Sequence, residues 1–82
     1  MYIRGRAMNY LIVSEIGANI RKIRESKNIT QDTLAAKLQV RGCDITRSAI
    51  AKIEVGQRHL YPDEILLIKE ILDTDFDSIF YG

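Results

Sequence analysis

Signals that start and stop helices recur at short intervals along this chain, and they restrict it to short helices wrapped round one core. Thr30 and Thr46 stand where a hydroxyl can cap the first turn of the helix that follows. Asn28 can end a turn after Lys27, and Gly56 suits the left-handed position just past a helix C-terminus. Pro62 fits a first turn, where its missing N–H is not needed, and Asp63 and Glu64 beside it complement the helix dipole. Between these marks the apolar residues recur at helical spacing: Ile16, Ile20 and Ile23; Leu34, Ala35 and Leu38; Ala49, Ile50 and Ile53; Ile65, Ile68, Ile71 and Leu72. The pattern predicts helices over about 15–27, 31–39 and 47–55, with Ser14 capping the first, and a fourth opening at Pro62. Leu66 and Leu67 widen the stripe of the fourth and predict that it is the most enclosed. A last short helix is expected after Asp75, with Phe76, Ile79 and Phe80 folding back onto the core. Only Tyr10 to Val13 reads at all like a strand, so the expected class is all-α: five short helices round one core.

Eighty-two residues suffice for a single domain. No stretch approaches the roughly 18 apolar residues of a membrane span, and Tyr10–Val13 is too short for a signal-peptide core. A cytoplasmic protein is therefore expected. Cys43 is the one cysteine, which rules out an internal disulfide and a paired-cysteine zinc site and reads as a small loop residue. Net charge is +1, but its distribution is uneven. Met1 to Leu60 holds eleven Lys/Arg against five Asp/Glu; Tyr61 to Gly82 holds one Lys against six acids. Such polarity can offer a positive face to phosphate, although many proteins that bind no nucleic acid share it.

The ordered run Ile20-Arg21-Lys22-Ile23-Arg24, Ile29-Thr30-Gln31, Leu34-Ala35 with Leu38, and Thr46-Arg47-Ser48-Ala49-Ile50-Ala51-Lys52-Ile53-Glu54 with Gly56 and Arg58 carries a specific resemblance. With the closing Phe76-Asp77-Ser78-Ile79-Phe80, it resembles the phage repressor/Cro-type (XRE-like) helix-turn-helix family over Ile16 to Phe80. The resemblance implies a compact five-helix repressor/Cro-like DNA-binding domain over 14–82, preceded by an N-terminal arm over 1–13, disordered or a leader. Met8 is an alternative start, and Arg4 and Arg6 would make the arm basic. The Tyr10–Val13 run can instead pair with a second subunit.

On the third helix, inward Ala49, Ile50 and Ile53 leave Arg47, Ser48, Ala51 and Lys52 nearer the outside, where a major groove can admit them. Arg47 and Lys52 can donate to guanine O6 and N7, while Ser48 discriminates less. The resemblance makes Arg47, Ser48 and Lys52 base readers. It sets Thr30, Gln31 and Thr46 near backbone phosphates and likens Gln57 and Arg58 to a phosphate-contacting turn. Outside such a motif the same charges are ordinary solvated side chains, and the threonines are caps first. The family also pairs residues at the positions of Arg24 and Glu54, so a partly buried ion pair between the first and third helices is expected. Ala35, being small, allows two helices to cross closely.

The sequence departs from the family in its long turn, Gln39 to Ile45, which resembles a subset with a longer approach to the recognition helix. Val40 and Ile45 are expected to anchor that loop, with Gly42 at its tip and Arg41 either on a phosphate or free. Val55 replaces a residue that many relatives use on phosphate. Asp73-Thr74-Asp75-Phe76-Asp77 imitates the start of a calcium loop, but Ser78 stands where glycine is required, and it reads as an acidic turn. His59 has no second ligand nearby, no catalytic constellation stands out, and neither an enzyme nor a metal or cofactor is expected. The leading expectation is a sequence-specific regulator of double-stranded DNA, a repressor working as a homodimer on a palindromic operator. The rival is a protein-interaction module or antitoxin that keeps the fold with little operator reading.

Overall fold

Apolar residues at helical spacing need partners, and five helices supply them. The computed structural model describes residues 5–82, with side chains from Leu11 onward. The helices are α1 (Gly5–Ser26), α2 (Gln31–Val40), α3 (Arg47–Glu54), α4 (Pro62–Ile71) and α5 (Phe76–Tyr81). No strand occurs among the described residues. α1 packs against α3 and α5, and α2 against α3 and α4. Ile16 and Ile20 of α1, Leu34 and Leu38 of α2, Ile50 and Ile53 of α3, Ile68 and Leu72 around α4 and Ile79 of α5 are all buried in one core.

Each start has a local cause. Thr30 Oγ1 accepts the Thr33 backbone N–H at 3.0 Å, and Thr46 Oγ1 accepts that of Ala49 at 3.1 Å. Asp75 does the same for Ser78 at 2.7 Å, which holds its carboxyl below the usual range. Each stop repeats one motif. Asn28, Gly42, Gly56 and Asp73 take positive φ at the ends of α1 to α4. The backbone N–H groups of these residues and their successors return to the last carbonyls, as with Gly56 to Ile53 (3.1 Å) and Gln57 to Lys52 (2.8 Å).

Several expectations need correction. α1 begins at Gly5, not near residue 15, and Tyr10–Val13 is helical rather than a strand. Half-buried Val13 continues the Ile16–Ile20 stripe one turn back, and Ser14 lies inside the helix instead of capping it. The expected basic arm falls outside the described residues at Arg4, and nothing is described of the Arg6 side chain. Val40 is 86% exposed, because α2 turns Leu34, Ala35 and Leu38 inward and Val40 away; buried Cys43 and Ile45 hold the loop instead. Arg41 is paired with Glu70 of α4 at 2.6 Å. α4 is not the most enclosed helix: Leu66 is exposed, and its buried side includes the charged Glu64. Phe76 is also exposed, with Lys69 Nζ 5.2 Å from its ring centre.

Backbone contact between α1 and α3 depends on a residue that sequence reasoning passed over. A Cβ on Gly17 would lie 1.9 Å from the Ile53 carbonyl oxygen and 3.2 Å from the Glu54 Cα. One turn earlier, Ser14 lies against Gly56, where an added Cβ would fall 2.3 Å from its Oγ. α1 therefore rests directly on the C-terminal end of α3, and that contact sets how α3 stands on the body.

Candidate nucleic-acid interface

The two ends of α3 are held differently. At its C-terminal end Glu54 is buried and accepts from three donors. Arg24 Nε reaches Oε2 at 2.7 Å, while Arg24 Nη2 and Gln31 Nε2 each reach Oε1 at 3.0 Å. Arg24 Nη1 also donates to the Ile29 carbonyl at 2.8 Å. This cluster ties α1, the α1–α2 turn, the start of α2 and the end of α3 together. The Glu54 carboxylate holds the Arg24 guanidinium above its ordinary pKa. No buried side-chain nitrogen or oxygen among the described residues lacks a partner.

The N-terminal end of α3 faces outward. Arg47, Ser48 and Lys52 are exposed, while Ile50 and Ile53 are buried and Ala49 and Ala51 are half-buried. That division follows from helical phase: residues three and four apart share a face, so Arg47 and Ser48 fall with Ala51 and Lys52. α2's first turn lies across the helix, since Gln31 reaches Glu54 at one end and Asp32 Oδ1 lies 3.6 Å from Arg47 Nε at the other. Thr30, Gln31, Asp32, Thr46 and Arg47 therefore border one surface made by two helix N-termini, where unpaired backbone N–H groups favour anions. Thr30 also donates its hydroxyl to Thr33 Oγ1 at 2.9 Å, so it is committed twice within its own cap. One N–H of the Gln31 amide is likewise engaged on Glu54, leaving its other N–H and the backbone N–H uncommitted.

Gln57 and Arg58 follow the stop after α3. Gln57 is exposed, its backbone N–H closing α3 onto Lys52. Arg58 is half-buried, and its guanidinium grips Glu64 end to end (Nη1 to Oε1 3.0 Å, Nη2 to Oε2 3.1 Å) while Nη1 donates to the His59 carbonyl at 2.9 Å. Glu64 also accepts the Tyr61 backbone N–H at 2.9 Å. Burial pushes the Glu64 carboxyl up, but the hydrogen bonds from Arg58 and Tyr61 outweigh it and hold the group below its ordinary value. The same pair raises Arg58. Two of the five Arg58 N–H groups stay uncommitted, so a phosphate contact there would be made by an arginine already neutralised. Cys43 nearby is buried, and burial followed by the Glu64 and Asp63 charges pushes its thiol up, away from reactive thiolate.

Asp32 and Glu64 are the residues that sequence reasoning missed here. Glu64 was read only through the dipole of α4, and its grip on Arg58 spans a loop whose course no local pattern gives. Val55, at the end of α3, is 57% exposed and offers no donor. No helix among the described residues is long and apolar enough to cross a membrane.

No curated protein matches the chain, and neither does any solved structure. A family model described as helix-turn-helix matches residues 20–79, from the buried Ile20 of α1 to the buried Ile79 of α5. That span contains α2, the turn, α3 and the whole Arg24–Glu54 cluster. The chain belongs to the helix-turn-helix family of XRE/Cro/C1 type, DNA-binding regulators of transcription.

Proposed function

We propose that this regulator reads a palindromic operator as a homodimer and represses by occluding a promoter. The observation that carries this reading is the exposure of the polar side of α3: the Arg47 side chain is 66% accessible, and among the described residues Ser48 and Lys52 are exposed with it. One short helix contacts few base pairs, and two-fold symmetry doubles them at half-sites about one helical turn apart. In this reading Arg47 and Lys52 donate to guanine edges and Ser48 adds a less selective contact. Thr46 through its hydroxyl, Thr30 and Gln31 through the N-terminus of α2, Gln57, and Arg58 through its spare N–H groups hold the phosphates.

Selection from a random duplex library, followed by salt titration of the winner, tests the proposal. The expected result is a palindrome whose affinity falls steeply with salt. Arg47→Ala is expected to cost about 1–3 kcal/mol and relax one base position, whereas Arg58→Ala weakens all sequences alike. No enriched sequence would sink the reading and favour the rival, a protein-interaction module or antitoxin. That rival draws support from the exposed Leu11, Ile12 and Val55 beside the α1–α3 contact.

A further inference from the structure

Three cations expected to meet DNA have different surroundings. Among the described residues Lys52 has no ion-pair partner, Arg58 is locked on the buried Glu64, and Arg47 faces the exposed Asp32. The Arg47–Asp32 pair is peculiar in its placing. It joins the first turn of α2 to the first turn of α3, and both partners are open to solvent, 66% and 78% accessible at the side chain. A carboxylate there stands on the surface that the proposed function turns toward phosphates, where by charge alone it opposes binding. The separation, Nε to Oδ1 at 3.6 Å, is an ion pair and too long for a hydrogen bond, so the guanidinium is steered without being consumed. Because Asp32 lies on the Nε side, both Nη groups stay available, and they can together meet guanine O6 and N7.

We infer that Asp32 is a positioning residue for Arg47 that sets base specificity, an inference that rests on the DNA-reading role proposed above. It acts in two ways. It restrains the arginine so that its paired Nη groups point outward, and it cancels the charge that would otherwise draw Arg47 onto any phosphate. The outcome is weaker binding to arbitrary duplex and a larger gap between the right base and the wrong ones.

The test uses the 82-residue chain and its Asp32→Asn, Asp32→Glu and Arg47→Ala variants. Each is measured on the selected duplex, on that duplex with the Arg47-dependent base pair changed, and on a generic duplex. Circular dichroism checks that each remains folded. Asp32→Asn is expected to bind generic duplex about fivefold more tightly, with a salt slope steeper by about one. Its discrimination at the Arg47-dependent position should fall about fivefold, part of what a bidentate contact supplies. Asp32→Glu, with the charge retained on a longer stem, should keep the native salt slope and recover part of the discrimination. In the Arg47→Ala background Asp32→Asn should leave base preference untouched. If Asp32→Asn tightens all duplexes equally and the Arg47-dependent preference persists, Asp32 is only a general repulsion and the inference is overturned while the DNA reader stands. If the native chain prefers no sequence, or Arg47→Ala changes no preference, the reading role itself fails and this inference goes with it.

Discussion

Two acid–arginine pairs involve α3, one at each end, and they differ in almost everything except chemistry. Arg24–Glu54 is buried, with side chains 9% and 1% accessible, and is completed by hydrogen bonds from Gln31 and to Ile29. Arg47–Asp32 is open and longer, and among the described residues no hydrogen bond supports it. A buried carboxylate cannot exchange its partner for water, so Arg24 and Glu54 are bound to each other as a condition of folding. An exposed pair has water and counter-ions as alternatives and contributes little, so Arg47 is available to a ligand. The same two residue types thus fasten one end of the helix and leave the other ready to act.

The largest expected effect breaks the buried pair. Arg24→Ala leaves Glu54 with Gln31 alone in a site closed to water, and should cost about 3–5 kcal/mol. For a domain of this size that corresponds to a fall in Tm on the order of 20 °C, measurable by calorimetry. A joint replacement, Arg24→Met with Glu54→Leu, should recover much of the loss, because no charge is then stranded. Next in size is Gly17→Ala. Its added methyl would meet the Ile53 carbonyl backbone, which cannot rotate away, so α1 must lift off α3. The expected cost is about 2–3 kcal/mol, at the upper end of ordinary overpacking. An unchanged melting curve would show that α1 does not set the seat of α3.

Why some of this was legible in the sequence and some was not follows from the range of each interaction. Thr30 and Thr46 act on backbone three residues away, so their caps can be read from the residues alone. Asn28 and Gly56 are legible because few residue types accept a left-handed backbone; Asp73 does the same and was hidden as one acid among several. The outward edge of α3 followed from the phase of Ile50 and Ile53. Gly17 was opaque, because a glycine within a helix announces close approach only once the partner is known. Val40, Leu66 and Phe76 were misread by counting apolar residues without following phase to the element's end. Asp32 beside Arg47 left no local pattern, since fourteen intervening residues decide whether the two meet.

The Arg58–Glu64 pair lies between the two extremes, and pH can place it. The folded Glu64 carboxyl sits below its ordinary 4.5, so the folded form binds its proton less readily than the unfolded chain. The stability it contributes is complete above that ordinary value and is lost as pH falls through the lower folded value. Thermal melts of the native chain and Glu64→Gln across this acid window should converge as pH drops, the variant showing the shallower slope. Parallel curves would mean that the pair, like Arg47–Asp32, is worth little to folding.

The smallest expected effect is the most discriminating. In a double-mutant cycle read by denaturant unfolding, Arg47→Ala and Asp32→Ala should show a coupling below about 0.5 kcal/mol. Asp32→Ala alone also removes an acid from the first turn of α2, which favours the helix by about 0.3–1 kcal/mol. The cycle removes that contribution, because it is present with or without Arg47. The same cycle on Arg24 and Glu54 should give a coupling several times larger. Raising the salt separates the two further, since ions screen the open pair and cannot enter the closed one. A strong, salt-resistant coupling between Arg47 and Asp32 would make the open pair a second fastening, and α3 would then have no end free for DNA.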